Sequence, residues 1–192
     1  LPYWIIYRDN EFDSVCKKLD FNVFKVFRDR QITNKLLSPS GDIRVLKSRN
    51  ISDDGQNVIN INGYDSYISD DDAKSLSVYS YLDCDNVYLT PNMTYKPRMI
   101  EKPKECLVNG SLAVLIPKKG IIPTKEQLAF FSTQEYRNFY QIARNFQTRS
   151  LNVDACSVFF YGLLRDKAKK SPITEKLDEK ENIQIAIFNY VK

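Results

Sequence analysis

The stretch that most limits how this chain can fold is Leu112-Ala113-Val114-Leu115-Ile116, set between Ser111 and Pro117. It is almost wholly apolar and of strand length, so it predicts a central buried strand. Asn109-Gly110 leads into it, and both residues tolerate positive φ, which predicts a tight turn. Lys118-Lys119-Gly120 ends it. Other apolar material must then surround this strand. Phe21, Val23, Phe24, Val26 and Phe27 are predicted to pack inward. Residues 43–51 carry β-branched residues at their ends, residues 58–61 and 66–68 read as short strands, and residues 158–163 read as a closing strand. Residues 1–7 are apolar, aromatic and strand-like. Turns at residues 38–42 and 53–55 separate these pieces, a pattern that predicts a curved mixed sheet.

Helices are predicted from periodicity and caps. Phe12, Val15, Cys16 and Leu19 recur at three- and four-residue spacing, with Asp9 or Asn10 as the cap. Ser69 caps a helical turn through Leu76. Thr124-Lys125-Glu126-Gln127 has the capping-box form, and Ser132-Thr133-Gln134-Glu135 repeats it. The second of these helices would bury Tyr136, Phe139, Tyr140 and Ala143 on its inner face. The expected fold is α+β, a curved mixed β-sheet with helices packed on one side. It forms one domain over residues 1–165, followed by a charged tail over 166–192. Ile183 to Tyr190 in that tail is a final apolar element, a candidate docking strand.

At 192 residues, 43% hydrophobic and 12% aromatic, the chain can bury one good core. Its net charge of +4 permits a polyanionic partner without demanding one. No apolar run approaches the length of a membrane span, and residues 1–4 lack the pattern of a signal peptide. The absence of an initial Met suggests a piece of a longer chain. Cys16, Cys84, Cys106 and Cys156 are isolated and there is no His, which excludes mixed Cys/His zinc sites and His-activated nucleophiles. Small buried thiols in a reducing cytoplasm are expected.

Four polar stretches carry most of the remaining chemistry. Residues 87–98 start as a strand and run into Thr90, Asn92, Thr94, Tyr95, Lys96 and Arg98, stiffened into an ordered loop by Pro91 and Pro97. Arg28-Asp29-Arg30-Gln31, Lys47-Ser48-Arg49-Asn50 and residues 144–153 have similar composition. These are the side chains that hold phosphates and read base edges. Each is equally a composition found in solvated turns. No Gly-rich phosphate loop, paired-His motif or Gly-x-Ser-x-Gly is present. Asp83 and Asp85 are candidates for a magnesium site. The nearest approach to a nuclease Glu-x-Lys, Asp178-Glu179-Lys180, lies in the tail.

Residues 44–51, then Tyr67-Ile68-Ser69, Val87-Tyr88-Leu89-Thr90, residues 109–115 and residues 131–153 resemble, in order and spacing, the target recognition domains of type I restriction specificity subunits. Residues 27–33, 91–98 and 143–150 are similar to the C-terminal part of adenine-specific DNA methyltransferases of type II restriction-modification systems, the Alw26I and Eco31I group. The resemblance spans about residues 4–164. It implies a target-recognition-domain-like fold that holds double-stranded DNA while an upstream methyltransferase catalytic domain flips an adenine and methylates it from S-adenosylmethionine. This sequence has no Asn-Pro-Pro-Tyr motif and no Gly-rich cofactor loop, so the resemblance places the cofactor and the chemistry outside residues 1–192. It also implies a cytoplasmic, prokaryotic protein with no membrane partner.

The expected DNA contacts are Arg28, Arg30, Gln31, Lys47, Ser48, Arg49, Asn50, Asn92, Thr94, Tyr95, Lys96, Arg98, Arg144, Gln147, Thr148, Arg149, Ser150 and Asn152. Lys47, Lys96 and Arg144 are expected on phosphates, Arg49, Asn92, Arg98 and Arg149 on bases, and Tyr95 as a stacking ring. Two other classes remain open. One is a metal-dependent nuclease domain of a fused restriction-modification protein. The other is a protein-docking module for an acidic partner.

Overall fold

A strand with no polar face needs apolar cover on both sides, and the fold provides it. The computed structural model describes residue 1, residues 3–147 and residues 151–165. In chain order it contains α1 (Asn10–Lys18), β1 (Leu19–Asp20), β2 (Phe24–Phe27), β3 (Ile43–Leu46), β4 (Ser66–Ile68), α2 (Asp70–Lys74), β5 (Tyr88–Pro91), β6 (Ile100–Glu101), β7 (Cys106–Val108), β8 (Leu112–Pro117), α3 (Lys125–Phe130), α4 (Gln134–Ala143) and β9 (Leu163–Leu164). Single 3-10 turns lie at Ser48–Asn50, Ser77–Tyr81 and Ser157–Phe160.

β8 sits inside a four-stranded antiparallel sheet of order β2-β8-β5-β6. Ala113 and Leu115 enter an aromatic core with Phe12, Phe24, Phe131, Tyr136, Phe139 and Tyr161. Leu112 and Val114 point the other way, into a second core with Val45, Leu46, Ile68, Leu107 and Val108. Each such side chain taken fully out of water contributes roughly 1.5–3 kcal/mol. The second core is closed by a separate three-stranded sheet, β4-β3-β7, in which β3 runs antiparallel to β4 and parallel to β7.

The α+β class therefore holds, but the single curved mixed sheet does not. Mixed pairing is confined to the three-stranded sheet, and β1 with β9 forms a third, two-stranded unit. Helices α1, α3 and α4 supply the aromatic core, whereas Ala73 of α2 lies in the second core. One sheet covers the other on the face where no long helix is available.

Local chemistry explains the helices. Asp9 accepts from the Phe12 N–H at 2.7 Å, and acidic residues open α1 while Lys17 and Lys18 close it, as the helix dipole favours. Thr124 and Gln127 form the reciprocal capping box of α3. In α4 the cap is Thr133, which accepts from Tyr136 N–H at 3.1 Å, one residue later than the predicted Ser132. The last turn of α3 runs on through Ser132, whose N–H donates to Ala129 O at 3.1 Å. That residue is already inside the preceding helix end.

Two predicted strands are not formed and a third is displaced. Among the described residues, 1–7 make no ladder, 58–61 contribute only the bridge between Ile51 and Val58, and the predicted strand 158–163 is a 3-10 turn over Ser157–Phe160 with only Leu163 entering β9. In the last case the Asp154 carboxylate accepts from the Cys156 and Ser157 N–H groups at 3.0 and 2.8 Å. This local side-chain bonding sets a helical turn where the apolar run alone suggests a strand. Conversely, Pro91 is the last paired residue of β5, opposite Leu112, so the missing donor falls where the ladder ends. The tail over 166–192, with its candidate docking strand, lies outside the described residues. Among the described residues no helix is long and apolar enough to cross a membrane.

Asn109-Gly110 does turn the chain, but between two sheets and without positive φ at either residue. Leu112 N–H donates to Asn109 O at 3.0 Å, and Asn109 Oδ1 accepts from Ser111 N–H at 3.1 Å. Glycine is required at 110 for a different reason: a Cβ there would lie 2.7 Å from Asp29 O. Gly110→Ala is expected to destabilise the protein by about 1–3 kcal/mol through this backbone clash. Urea denaturation measures it, and an unchanged midpoint would show that the 29–110 contact is not constraining.

The expectation of buried thiols is met only in part. Cys84 and Cys156 are exposed, while Cys16 and Cys106 are half-buried. Burial, assisted by Asp13, pushes the Cys16 thiol up to about 12. The thiolate is the reactive form, so iodoacetamide at mildly alkaline pH should label Cys84 and Cys156 well before Cys16. Peptide mass analysis over time reads the order.

Candidate nucleic-acid interface

The strand registers bring the polar loops together. Phe27 at the end of β2 faces Val114, and Pro91 at the end of β5 faces Leu112, both near the start of β8. Leu46 at the end of β3 lies beside Val108 at the end of β7, and three residues separate Val108 from the start of β8. The segments 28–32, 47–51, 92–98 and 109–111 therefore all leave the two sheets at one end of the molecule. Residues 151–153 join them through the Asn92–Asn152 side-chain bond at 3.0 Å, and Arg144 reaches the same place by donating to Asn152 O.

Buried polar side chains hold this cluster. Asn92, 2% exposed, donates to Gly110 O at 3.1 Å and to Asn152 Oδ1, and accepts from Val153 N–H at 2.9 Å. Asn50 is fully buried: it accepts from Lys47 N–H at 2.9 Å and donates to Ile59 O at 3.1 Å and Asp65 Oδ1 at 2.6 Å. The Arg98 guanidinium donates to the carbonyls of Lys96, Ser48 and Ile51 at 3.2–3.3 Å, tying segment 92–98 to segment 47–51. Arg144 donates to Asn152 O at 3.3 Å and Gln147 Oε1 at 3.4 Å. It also lies over the Tyr140 ring, 6.0 Å from its centroid.

These four expected contacts are already engaged within the fold. Asn92 and Arg98, expected on bases, and Arg144, expected on a phosphate, have their polar ends committed to the fold, as does Asn50. Backbone carbonyls in closely packed loops need donors, and long polar side chains supply them. Tyr95 is engaged in the same way. Its ring packs half-buried against the aromatic core and its hydroxyl donates to Gln147 O, so it is not a free stacking surface.

Other predicted residues stay on the surface. Arg30, Arg49 and Lys96 are exposed. Between Arg28 and Arg30, buried Asp29 accepts from Gln31 N–H at 3.2 Å and Ile32 N–H at 2.9 Å and fixes the turn that carries them. Gln31 is exposed but its Oε1 accepts from Ser77 N–H at 2.8 Å. Arg49 lies over the Tyr64 ring at 4.8 Å and Lys47 Nζ at 4.0 Å from the same ring. Lys47 also donates to Ser66 Oγ at 2.8 Å, and burial lowers its pKa against the pull of Asp65. The half-buried Ser48 donates its N–H to Ser111 Oγ at 3.0 Å, and Thr94 Oγ1 accepts from Lys96 N–H at 2.9 Å. Gln147 is exposed and Asn152 half-buried. Thr148, Arg149 and Ser150 lie outside the described residues.

One basic residue was missed by reading loops alone. Arg137 lies on α4 and is close enough to Arg98 for the two charges to repel. The Nε atoms of Arg28, Arg98 and Arg137 are buried with no hydrogen-bond partner among the described residues. The only sequence signal for Arg137 is a lone Arg beside the aromatic positions Tyr136, Phe139 and Tyr140 of the same helix. Asp83 and Asp85 do not assemble a cation site with a third ligand among the described residues. Asp85 instead pairs with Lys104 at 2.9 Å, and Asp83 accepts from Glu105 N–H at 3.3 Å. Comparison with known proteins finds no matching family model and no matching curated protein.

Two measurements test this framework. Asn92→Ala strands the buried Val153 N–H and the Gly110 carbonyl, and should cost about 1–3 kcal/mol in urea denaturation. A loss near zero would mean that water replaces the amide. Asp65 gives a pH signature. Burial pushes its carboxyl up, but the Asn50 amide, the Ile61 N–H and Arg44 outweigh this and hold it below the ordinary value. Its stabilising effect is thus present above the unfolded value of about 3.9 and lost as pH falls through the lower folded value. Asp65→Asn should be less stable at neutral pH and lose less on acidification than the native protein. Identical pH profiles would refute the assignment.

Proposed function

We propose that this protein is a sequence-specific reader of double-stranded DNA, the target recognition domain of an S-adenosylmethionine-dependent adenine methyltransferase in a prokaryotic restriction-modification system. The observation that supports it is the convergence of polar segments, most of them carrying Arg or Lys, at one end of two packed sheets, cross-tied by Asn92 and Arg98. A rigid rim of this kind suits a reader, because base discrimination needs donors held in place before the duplex arrives. The restriction-modification assignment rests on the motif resemblance. In this reading the cofactor and the methyl transfer belong to a catalytic domain outside residues 1–192, and the complex works in the cytoplasm.

The roles divide by exposure. Arg30, Arg49 and Lys96 are the contacts we assign to phosphates and groove edges, with Arg28, Lys47, Gln31, Thr94, Gln147 and Asn152 beside them. Asn50, Asn92, Arg98 and Arg144 are positioning residues. Arg98→Ala should therefore lower stability and weaken binding to all sequences together, not relax one position of the site.

Selection from a random duplex pool at two salt concentrations tests the reading. Enrichment of one short motif, with affinity falling as salt rises, is the expected result. Arg49→Ala and Lys96→Ala should each reduce the salt slope by about 1 if they hold phosphates, or relax one base position if they read an edge. Absence of binding at low salt would overturn the proposal in favour of a protein-docking module. Metal-dependent cleavage would favour a nuclease.

A further inference from the structure

A second surface has a different character from the basic rim. Leu1, Trp4, Ile6, Tyr7 and Phe146 are exposed by 46, 87, 67, 54 and 49%. The last four are neighbours, because Tyr7 and Phe146 meet edge to face at 5.3 Å and Asn145 holds the segment between Trp4 and Ile6. Asn145 Oδ1 accepts from Ile6 N–H at 2.7 Å and its Nδ2 donates to Trp4 O at 3.0 Å. The backbone beneath is specialised. Asn145 ends α4 in the left-handed conformation, with the Asn145 and Phe146 N–H groups bonded to Ile142 O and Gln141 O. Phe146 itself has φ of 51°, which a bulky side chain rarely adopts and which sets its ring outward beside Tyr7. Contiguous apolar surface of this kind usually has a partner.

Between α1 and α4 lies a cavity of about 210 Å³ with an apolar floor of Phe12, Val15, Phe139 and Ile142 and a polar margin that includes Glu11 and Glu135. The two helices run antiparallel, since Lys18 at the end of α1 pairs with Glu135 at the start of α4 at 2.5 Å. Arg165, where the described chain stops, is fixed at that same far end by bonds to Lys18 O and Asp20 Oδ1 at 2.9 and 3.1 Å.

We propose that residues 183–191 of this same chain dock on the Trp4–Ile6–Tyr7–Phe146 surface. They read Ile-Gln-Ile-Ala-Ile-Phe-Asn-Tyr-Val, so alternation puts Ile183, Ile185 and Ile187 on one side. The distance to be bridged is close to the length of α4, about 15 Å for its ten residues. The seventeen residues 166–182 have a coil dimension of about 21–25 Å, long enough to span it and short enough to concentrate the segment there. Such a tether gives an effective concentration of about millimolar, which outcompetes a second copy at micromolar protein.

Trp4 is the single tryptophan of the chain, so its fluorescence reports on the patch. The experiment compares emission and acrylamide quenching of the full chain with the I185D/I187D variant, with thermal midpoints as the folding control. A blue-shifted, shielded Trp4 in the full chain that becomes red-shifted and readily quenched in the variant is expected. Solvent-like emission in both proteins would overturn the proposal. So would shielding that survives in the variant, or that disappears on dilution, which would place a second copy on the patch.

Discussion

The fold depends on burying β8 from both sides. Ala113 and Leu115 need the aromatic core of α1, α3 and α4, while Leu112 and Val114 need the sheet β4-β3-β7. Neither cover is sufficient alone, because a strand apolar on both faces leaves a hydrophobic surface whichever layer is missing. The two cores share one strand, so their strand ends are placed relative to one another to within the width of a side chain. That shared placement lets loops from different sheets form one rim.

The rim is then fixed by polar groups instead of by apolar packing. Asn92, Asn50 and Arg98 are each surrounded by backbone carbonyls and N–H groups of loops that have no ladder to satisfy them. A buried amide with all its bonds made specifies geometry more sharply than an aliphatic contact, because losing any one bond strands a buried partner. The loops at this end are therefore ordered by their own side chains. Exposed Arg30, Arg49 and Lys96 stand on a base that does not need a ligand to form it.

Much of this was readable from residue order. The buried strand, the Thr124 capping box, the inner face of α4 and the polar character of the loops all follow from patterns that act over a few residues. What failed were features decided at a distance. A residue such as Asn92 looks the same in sequence whether its amide faces a base edge or the Gly110 carbonyl, and only the register of β5 on β8 determines which. The partition into three sheets is likewise set by which layer covers each apolar face. Residues 158–163 misled for the opposite reason: Asp154, a local signal, overrides an apolar run.

The end of α4 links the two surfaces. Arg144 reaches back to Asn152 and holds the segment that joins the basic rim, while the next residue, Asn145, reaches out to Trp4 and Ile6 under the apolar patch. Both depend on α4 stopping at Ala143, which the left-handed turn at Asn145 enforces. If the helix continued through Asn145, that residue would lose its left-handed conformation and the following chain would run on along the axis at about 1.5 Å per residue, away from both the N-terminal segment and the 152–153 loop. The helix terminus is thus a single mechanical element for both faces, and anything that restrains the N-terminal segment also restrains the position of Arg144.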